Sequence, residues 1–179
     1  MSVTQPITVV MAASIRRASV NAALARLIVD ALRRRGEHAE LIDLADYDMP
    51  IYHGDIEAEA GVPDAARELV DRFGAATRLV IVTPEYNGAW PPLLKNTLDW
   101  MSRIERGFFR HMTIHLAAAS PGGLGGRRVL AILRAWLENM RADVADTTLS
   151  VPNASLSNDL ELVADGVVDV DTFLPPERG

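Results

Sequence analysis

Short apolar runs separated by amphipathic stretches set the rhythm of this chain. ITVVM (7 to 11) and RLVIV (78 to 82) are rich in β-branched residues and show little polar alternation, the pattern of strands covered on both faces. After the first run, Leu24, Leu27, Ile28, Ala31 and Leu32 recur at three- and four-residue spacing, which predicts a helix that Gly36 ends. HAELIDL (38 to 44) predicts a second strand, and a loop rich in Asp, Pro and Gly follows from 45 to about 63. A helix is expected over roughly 64 to 75, before the third strand at 78 to 82. MTIHLAAA (112 to 119) predicts the fourth strand. Val129, Leu130, Leu133, Trp136, Leu137 and Met140 mark another helix, and a fifth strand is expected within 142 to 151.

Strands that alternate with helices imply a parallel sheet covered on both faces. Right-handed crossovers leave few topologies, and the economical one is a doubly wound, five-stranded α/β sheet of order 2-1-3-4-5. In such a sheet ligands sit in the crevice at the carboxyl ends of the strands. The 179 residues suit a single domain, 1–179, with an irregular C-terminal tail over 155–179.

Composition narrows the chemistry. The net charge is −6 and the arginines are dispersed, so no nucleic-acid footprint is expected. Arg33, Arg34 and Arg35 read as the polar end of a helix, where cations suit the dipole. There is no cysteine, which excludes disulfides, a thiol nucleophile and thiolate metal ligation. Any redox chemistry must therefore come from a bound cofactor. No stretch approaches the length of a membrane span, and MSVTQP lacks the features of a secretory leader, so the expected location is cytoplasmic. His111 and His115 lie four residues apart in a predicted strand, about 13 Å, too far to share a metal.

The polar segments after strands 1, 3 and 4 fall on one edge of the expected sheet. In the first, ASIRRASVN (13 to 21), Ser14, Arg16, Ser19 and Asn21 offer hydroxyls, a charge and an amide beside a helix N-terminus. Those groups suit a phosphate, although Ser19 or Asn21 taken singly reads equally as a helix cap. The segment has no glycine, so the dinucleotide fingerprint is absent and a terminal monophosphate fits better. The second is PEYNG, Pro84 to Gly88. Pro84 stiffens the strand exit, Gly88 permits close approach of a flat ligand, and Tyr86 and Asn87 face the crevice. Pro91 or Pro92 opens a helix, which Leu94, Leu98 and Met101 anchor inward. The third, SPGGLGG (120 to 126), supplies backbone N–H groups and room for a ring; alone it would read as a flexible turn.

SIRRASVN, PEYNG followed by LKNTLDW, and SPGGLGGRR occur in this order between about 7 and 145. In this the chain resembles the NAD(P)H-dependent FMN reductases, flavodoxin-like proteins that include quinone, azo-dye and chromate reductases. The resemblance implies that Ser14, Arg16, Ser19 and Asn21 hold the FMN phosphate. Pro84, Glu85, Tyr86, Asn87 and Gly88 would line the flavin, and Ser120, Gly122 and Gly123 would approach its other side. It further implies hydride transfer from NADPH or NADH to the flavin, then electron transfer to a quinone or similar small acceptor. No side chain is nominated as acid, base or nucleophile, and no metal is expected. An FMN-binding electron carrier and a flavin-free binding or regulatory protein are the alternatives on this scaffold.

Resemblance also implies a homodimer or homotetramer; aromatics are enriched at interfaces, which makes Trp90, Trp100 and RGFF (106 to 109) candidate anchors, although Trp100 reads equally as core. Ala13 stands where the family usually has glycine, and Pro92 replaces another. The family's chain ends in a further helix, which Pro175 and Pro176 forbid here. The sheet face around Thr113 and His115 would then be wet or covered by a partner subunit; otherwise His115 is a hydrogen-bonded core histidine.

Overall fold

In the computed structural model, which describes residues 6–176, five parallel strands form one sheet. They are β1 (Ile7–Ala12), β2 (His38–Asp43), β3 (Arg78–Val82), β4 (Thr113–Ala119) and β5 (Asp143–Val151), in the order β2-β1-β3-β4-β5. The expected doubly wound α/β order is therefore the observed one. The helices are α1 (Val20–Arg34), α2 (Gly54–Ala60), α3 (Asp64–Gly74), α4 (Pro92–Ile104), α5 (Arg127–Asn139) and α6 (Val170–Phe173), and β6 (Ser155–Leu156) pairs antiparallel with β7 (Leu162–Val163).

Strand residues alternate between two cores, as the two-residue period of a strand requires. Val9, Met11, Leu79, Ile81, Ile114 and Leu116 pack against side chains of α3, α4 and α5, among them Phe73, Leu98, Met101 and Leu133. Val10, Ala12, Val80, Val82, Ala117 and Ala119 face Leu24, Ile28 and Leu32 of α1. The second set contains three alanines, so α1 lies close against the sheet at the carboxyl end of its strands. Leu94, Leu98 and Met101 are buried as expected, and Pro92 is the first helical residue of α4.

Several expectations need correction. The loop over 45 to 63 contains a 3-10 turn (Leu44–Asp46) and α2, a surface helix with no buried residue. Phe108 and Phe109 are core residues rather than interface anchors, and of the two readings of Trp100 the core one holds. Trp100 is fully buried and donates its indole N–H to the Pro50 carbonyl at 2.7 Å, while the two phenylalanine rings meet edge to face at 4.8 Å. Trp90 is half-buried, its ring 5.7 Å from that of Trp136.

The tail also departs from expectation. It is not irregular throughout: β6, β7 and the single turn α6 lie within it. A long closing helix is absent among the described residues, yet the face at His115 is neither wet nor left to a partner. Phe173 covers it, with the two rings nearly perpendicular at 5.7 Å. Leu174 and Val170 join the same core. The segment is held by two arginines. Arg35 donates to the Leu174 carbonyl at 2.8 Å and pairs with Asp171; Arg78 donates to the Pro175 carbonyl at 3.0 Å and to Thr8, and pairs with Glu37. Nor is His115 hydrogen-bonded as the other reading had it, because its Nδ1 is buried without a partner. Burial, reinforced by the nearby Arg78 charge and opposed by Asp143, lowers its pKa to about 4.

Candidate functional site

The strands end in step, so the loops that follow them open on one edge. Ala12 of β1 pairs with Val82 of β3, which pairs with Ala117 of β4. The ladder then closes as each loop departs: the Ala13 N–H donates to the Val82 carbonyl at 2.9 Å, and the Thr83 N–H to the Ala117 carbonyl at 3.0 Å.

In the first loop the expected phosphate groups divide. Ser19 caps α1 and accepts the Ala22 N–H at 3.2 Å. Ser14 is only 5% exposed, and its hydroxyl has no partner among the described residues. The hydroxyl itself is not among the fully buried unpaired side-chain atoms, so it reaches the crevice and is open to a ligand. Arg16 is exposed at the rim. The first N–H groups of a helix lack intrahelical partners; here Ser19 takes that of Ala22, and those of Val20 and Asn21 precede it at the start of α1. Asn21 is the exception. Its amide Nδ2 donates to the Ala119 carbonyl at 2.9 Å, and its Oδ1 accepts the Ala119 N–H at 2.8 Å. The side chain is occupied by β4, so the expectation that it contacts a phosphate is corrected.

The second loop is a tight hairpin. Tyr86 and Ala89 exchange N–H to carbonyl bonds at 2.8 and 3.0 Å, with Asn87 at φ +52° and Gly88 at φ +83° between them. Two successive left-handed residues are what a type I′ connection demands, and Asn-Gly is its preferred pair. Pro84 and Glu85 are half-buried, whereas the Tyr86 ring and Asn87 are exposed at the edge.

Within the third loop the glycines also divide. A methyl group at Gly125 would lie 2.5 Å from Ser150 Oγ and 2.7 Å from the Pro152 nitrogen, and one at Gly126 would lie 2.5 Å from the Ala118 Cβ. Both have positive φ, so the chain itself demands glycine there. Gly123 has nothing within 4 Å, and Gly122 meets only Ser120 Oγ at 3.9 Å. These two leave an open cradle beside Ser120, whose hydroxyl donates to the Gly122 carbonyl at 3.1 Å.

A further segment joins this edge that the sequence did not single out. Asn96 of α4 accepts the Tyr52 N–H at 2.8 Å and donates to the Pro50 carbonyl at 2.9 Å, strapping residues 49 to 52 onto the helix. A cleft of about 300 Å³ opens between Leu44 to Met49, just ahead of this strap, Ile15 of the first loop, and Leu93 and Asn96 of α4. Asn96 lies in LKNTLDW, so its place in the chain was visible, but an amide's partners 46 residues away have no signal in spacing. Two other open clefts, of about 600 and 640 Å³, run along α1 beside Leu162, the second reaching Arg17 of the first loop. No group of three or more His, Asp or Glu side chains fit to hold a metal occurs among the described residues.

This arrangement fits a flat, phosphate-bearing ligand: unsatisfied donors at α1, a hairpin presenting an aromatic ring, and a glycine cradle across the crevice. Comparison with known proteins agrees. A family model described as NADPH-dependent FMN reductase matches residues 7–155. A quinone reductase of Escherichia coli is 33% identical over 126 residues, 70% of this chain and 66% of that one. An NADPH azoreductase of a Bacillus species is 33% identical over 141 residues, 75% and 76% of the two chains. The match to the Escherichia coli protein thus spans slightly under two thirds of its length. Among solved structures, the flavoenzyme NAD(P)H:(acceptor) oxidoreductase FerB of Paracoccus denitrificans superposes with a TM-score of 0.73. It is 24% identical, with 88% of this chain and 86% of that one covered.

Proposed function

Given that the chain belongs to the NADPH-dependent FMN reductase family, we propose that it binds FMN at the carboxyl edge of its sheet and transfers electrons from NADPH or NADH to quinones or similar small acceptors. The Ser14 hydroxyl, open to the crevice and without a partner among the described residues in the loop that leads into α1, carries the reading. With Arg16 and Ser19 it would hold the phosphate. The hairpin from Pro84 to Gly88 would line the ring, with Ser120, Gly122 and Gly123 across from it.

When bound, the flavin supplies the acceptance and onward transfer of electrons that none of the side chains offers. The protein's part is to orient and exclude. Pro84 and the Asn87–Gly88 turn hold the second loop in one conformation, and Gly125 and Gly126 fix the exit of β4 so that Gly122 and Gly123 stay open. Asn96 pins the strap that follows Leu44 to Met49, the wall of the cleft on the β2 side.

A homodimer or homotetramer completes the proposal. Ile15, Ile51, Tyr86 and Leu124 are exposed apolar residues, one in each loop after β1 to β4, and a second copy covering this rim would remove them from water. Trp90 remains a candidate anchor. No helix among the described residues is long and apolar enough to cross a membrane, and action in the cytoplasm is part of the same proposal.

The test is the visible absorbance of the purified protein after incubation with FMN, followed by anaerobic addition of NADPH or NADH. A bound flavin band that bleaches promptly and returns on adding a quinone is the expected result. A bound band that does not bleach would favour the electron-carrier reading. Failure to take up FMN would leave the loops as scaffold.

A further inference from the structure

The Asn21 contact continues the sheet where the backbone stops. In β4 the odd-numbered residues turn their polar groups toward β3: Thr113 N–H bonds to the Thr77 carbonyl, and the Ala117 carbonyl accepts from Thr83 N–H. Advancing two residues, as a parallel ladder repeats, the Ala119 N–H would bond to the Thr83 carbonyl and the Ala119 carbonyl to the Glu85 N–H. The chain turns away at Pro84 instead. The two atoms of the Asn21 amide take those places, at 2.8 and 2.9 Å, in a side chain only 2% exposed. A carboxamide has the donor and acceptor of a peptide group in the same plane, so it substitutes for the missing strand.

We propose that Asn21 is a positioning residue that splices the start of α1 to the end of β4, setting the spacing between the phosphate loop and the glycine cradle across the point where the second loop leaves the sheet. It touches no part of the flavin. Asn21 lies two residues after the Ser19 cap, and Ala119 immediately precedes Ser120. A shift at either end of this bond therefore moves phosphate donors against ring cradle. This inference rests on the FMN reading above.

The test compares FMN with riboflavin, which has the same ring and no phosphate. Binding of each is titrated into flavin-free wild type, Asn21→Ala and Ser14→Ala. For Asn21→Ala both affinities fall by the same factor, on the order of tenfold for two lost buried hydrogen bonds, and the visible circular dichroism of the bound ring changes. For Ser14→Ala, FMN binding weakens and riboflavin binding does not. Loss confined to FMN in Asn21→Ala would make Asn21 a phosphate ligand and overturn the proposal, as would no loss at all. Amide hydrogen exchange gives a second readout. Exchange at Ala119 and through 120 to 123 rises in Asn21→Ala while the interior of α1 keeps its protection; a rise throughout the chain would mark a merely structural role. If the variant does not fold, the flavin-free wild type decides. Its Ala119 N–H and Asn21 side-chain amide protons exchange slowly and keep their chemical shifts when inorganic phosphate is added; fast exchange or a shift on phosphate overturns the proposal. A wild type that binds neither flavin refutes the FMN reading, while slow exchange at Ala119 would still report the splice.

Discussion

Four glycines in SPGGLGG look alike in sequence and differ in what they do. Gly125 and Gly126 combine positive φ with Cβ positions at 2.5 Å from other atoms, so alanine there is excluded by the chain itself. Gly125→Ala should lower the unfolding free energy by about 2 kcal/mol or more, since strain and collision act together. Gly123→Ala has open space around it and should leave stability unchanged while weakening flavin binding. Chemical unfolding without flavin, beside FMN titration, checks both; a Gly123→Ala protein that binds FMN like wild type would remove that residue from the site. Spacing could nominate the loop but could not sort its members, because the sorting depends on Ser150, Pro152 and Ala118. The same holds for Asn21. Its position beside a helix start suggested a cap or a phosphate ligand, and the partner that decided the matter lies 98 residues away.

At the scale of elements, the long apolar patterns were legible and the short or polar pieces were not. The five strands and the helices α1, α3 and α5 announce themselves through runs and three-to-four spacing over five to fifteen residues. α2 buries no residue and is tied down instead by Glu57, which takes two bonds from Arg103 and one from Tyr52, so it has no periodic signal. α6 is a single turn capped by Asp169, too short for a three-to-four spacing to show before Pro175 and Pro176. Yet that turn has a measurable consequence. With Phe173 over it, His115 stays neutral down to about pH 4, below the ordinary histidine value. The unfolded chain therefore binds a proton between about pH 6.5 and pH 4 that the folded one refuses. This contribution is at full strength above pH 6.5, declines as pH falls through that window, and levels off below it. Its size is about 3 kcal/mol at most, from the charge of one imidazole. The unfolding midpoint of wild type minus that of His115→Leu, measured from pH 7 to pH 4, should trace the decline. Phe173→Ala should cost about 3–5 kcal/mol for the lost aromatic packing and return the His115 titration, followed by NMR, toward its ordinary range. An unchanged histidine titration in that variant would mean that Phe173 is not what excludes water.

For the molecule as a whole, the sheet's two ends are built for different tasks. At the amino end Arg78, Glu37 and Arg35 lock the tail across the starts of β2 and β3, with Arg78 only 6% exposed. At the carboxyl end the loops leave open features, among them the Ser14 hydroxyl, without a partner among the described residues, and the clear space at Gly122 and Gly123. The sheet order implied this division, because alternating strands and helices place the loops after β1, β3 and β4 together before any side chain is considered. Two substitutions should therefore have crossed effects. Arg78→Lys keeps the charge and loses the planar fork that reaches Thr8, Glu37 and the Pro175 carbonyl. It should lower flavin-free stability by about 1–3 kcal/mol and leave FMN affinity within about twofold of wild type, because hydrogen-bond loss at one end of a packed sheet does not move the other. Ser14→Ala removes a hydroxyl with no partner in the chain, so flavin-free stability should hold while FMN affinity falls about tenfold or more, the worth of a hydrogen bond to a charged group. Saturating FMN then separates them again: at about one hundred times the dissociation constant, bound ligand adds about 2.7 kcal/mol to stability. At the FMN concentration that achieves this for wild type, Arg78→Lys should receive the full increment and Ser14→Ala only part of it. If both variants lost stability and affinity together, the two ends would be one cooperative unit, and the site could not be adjusted without unfolding the tail.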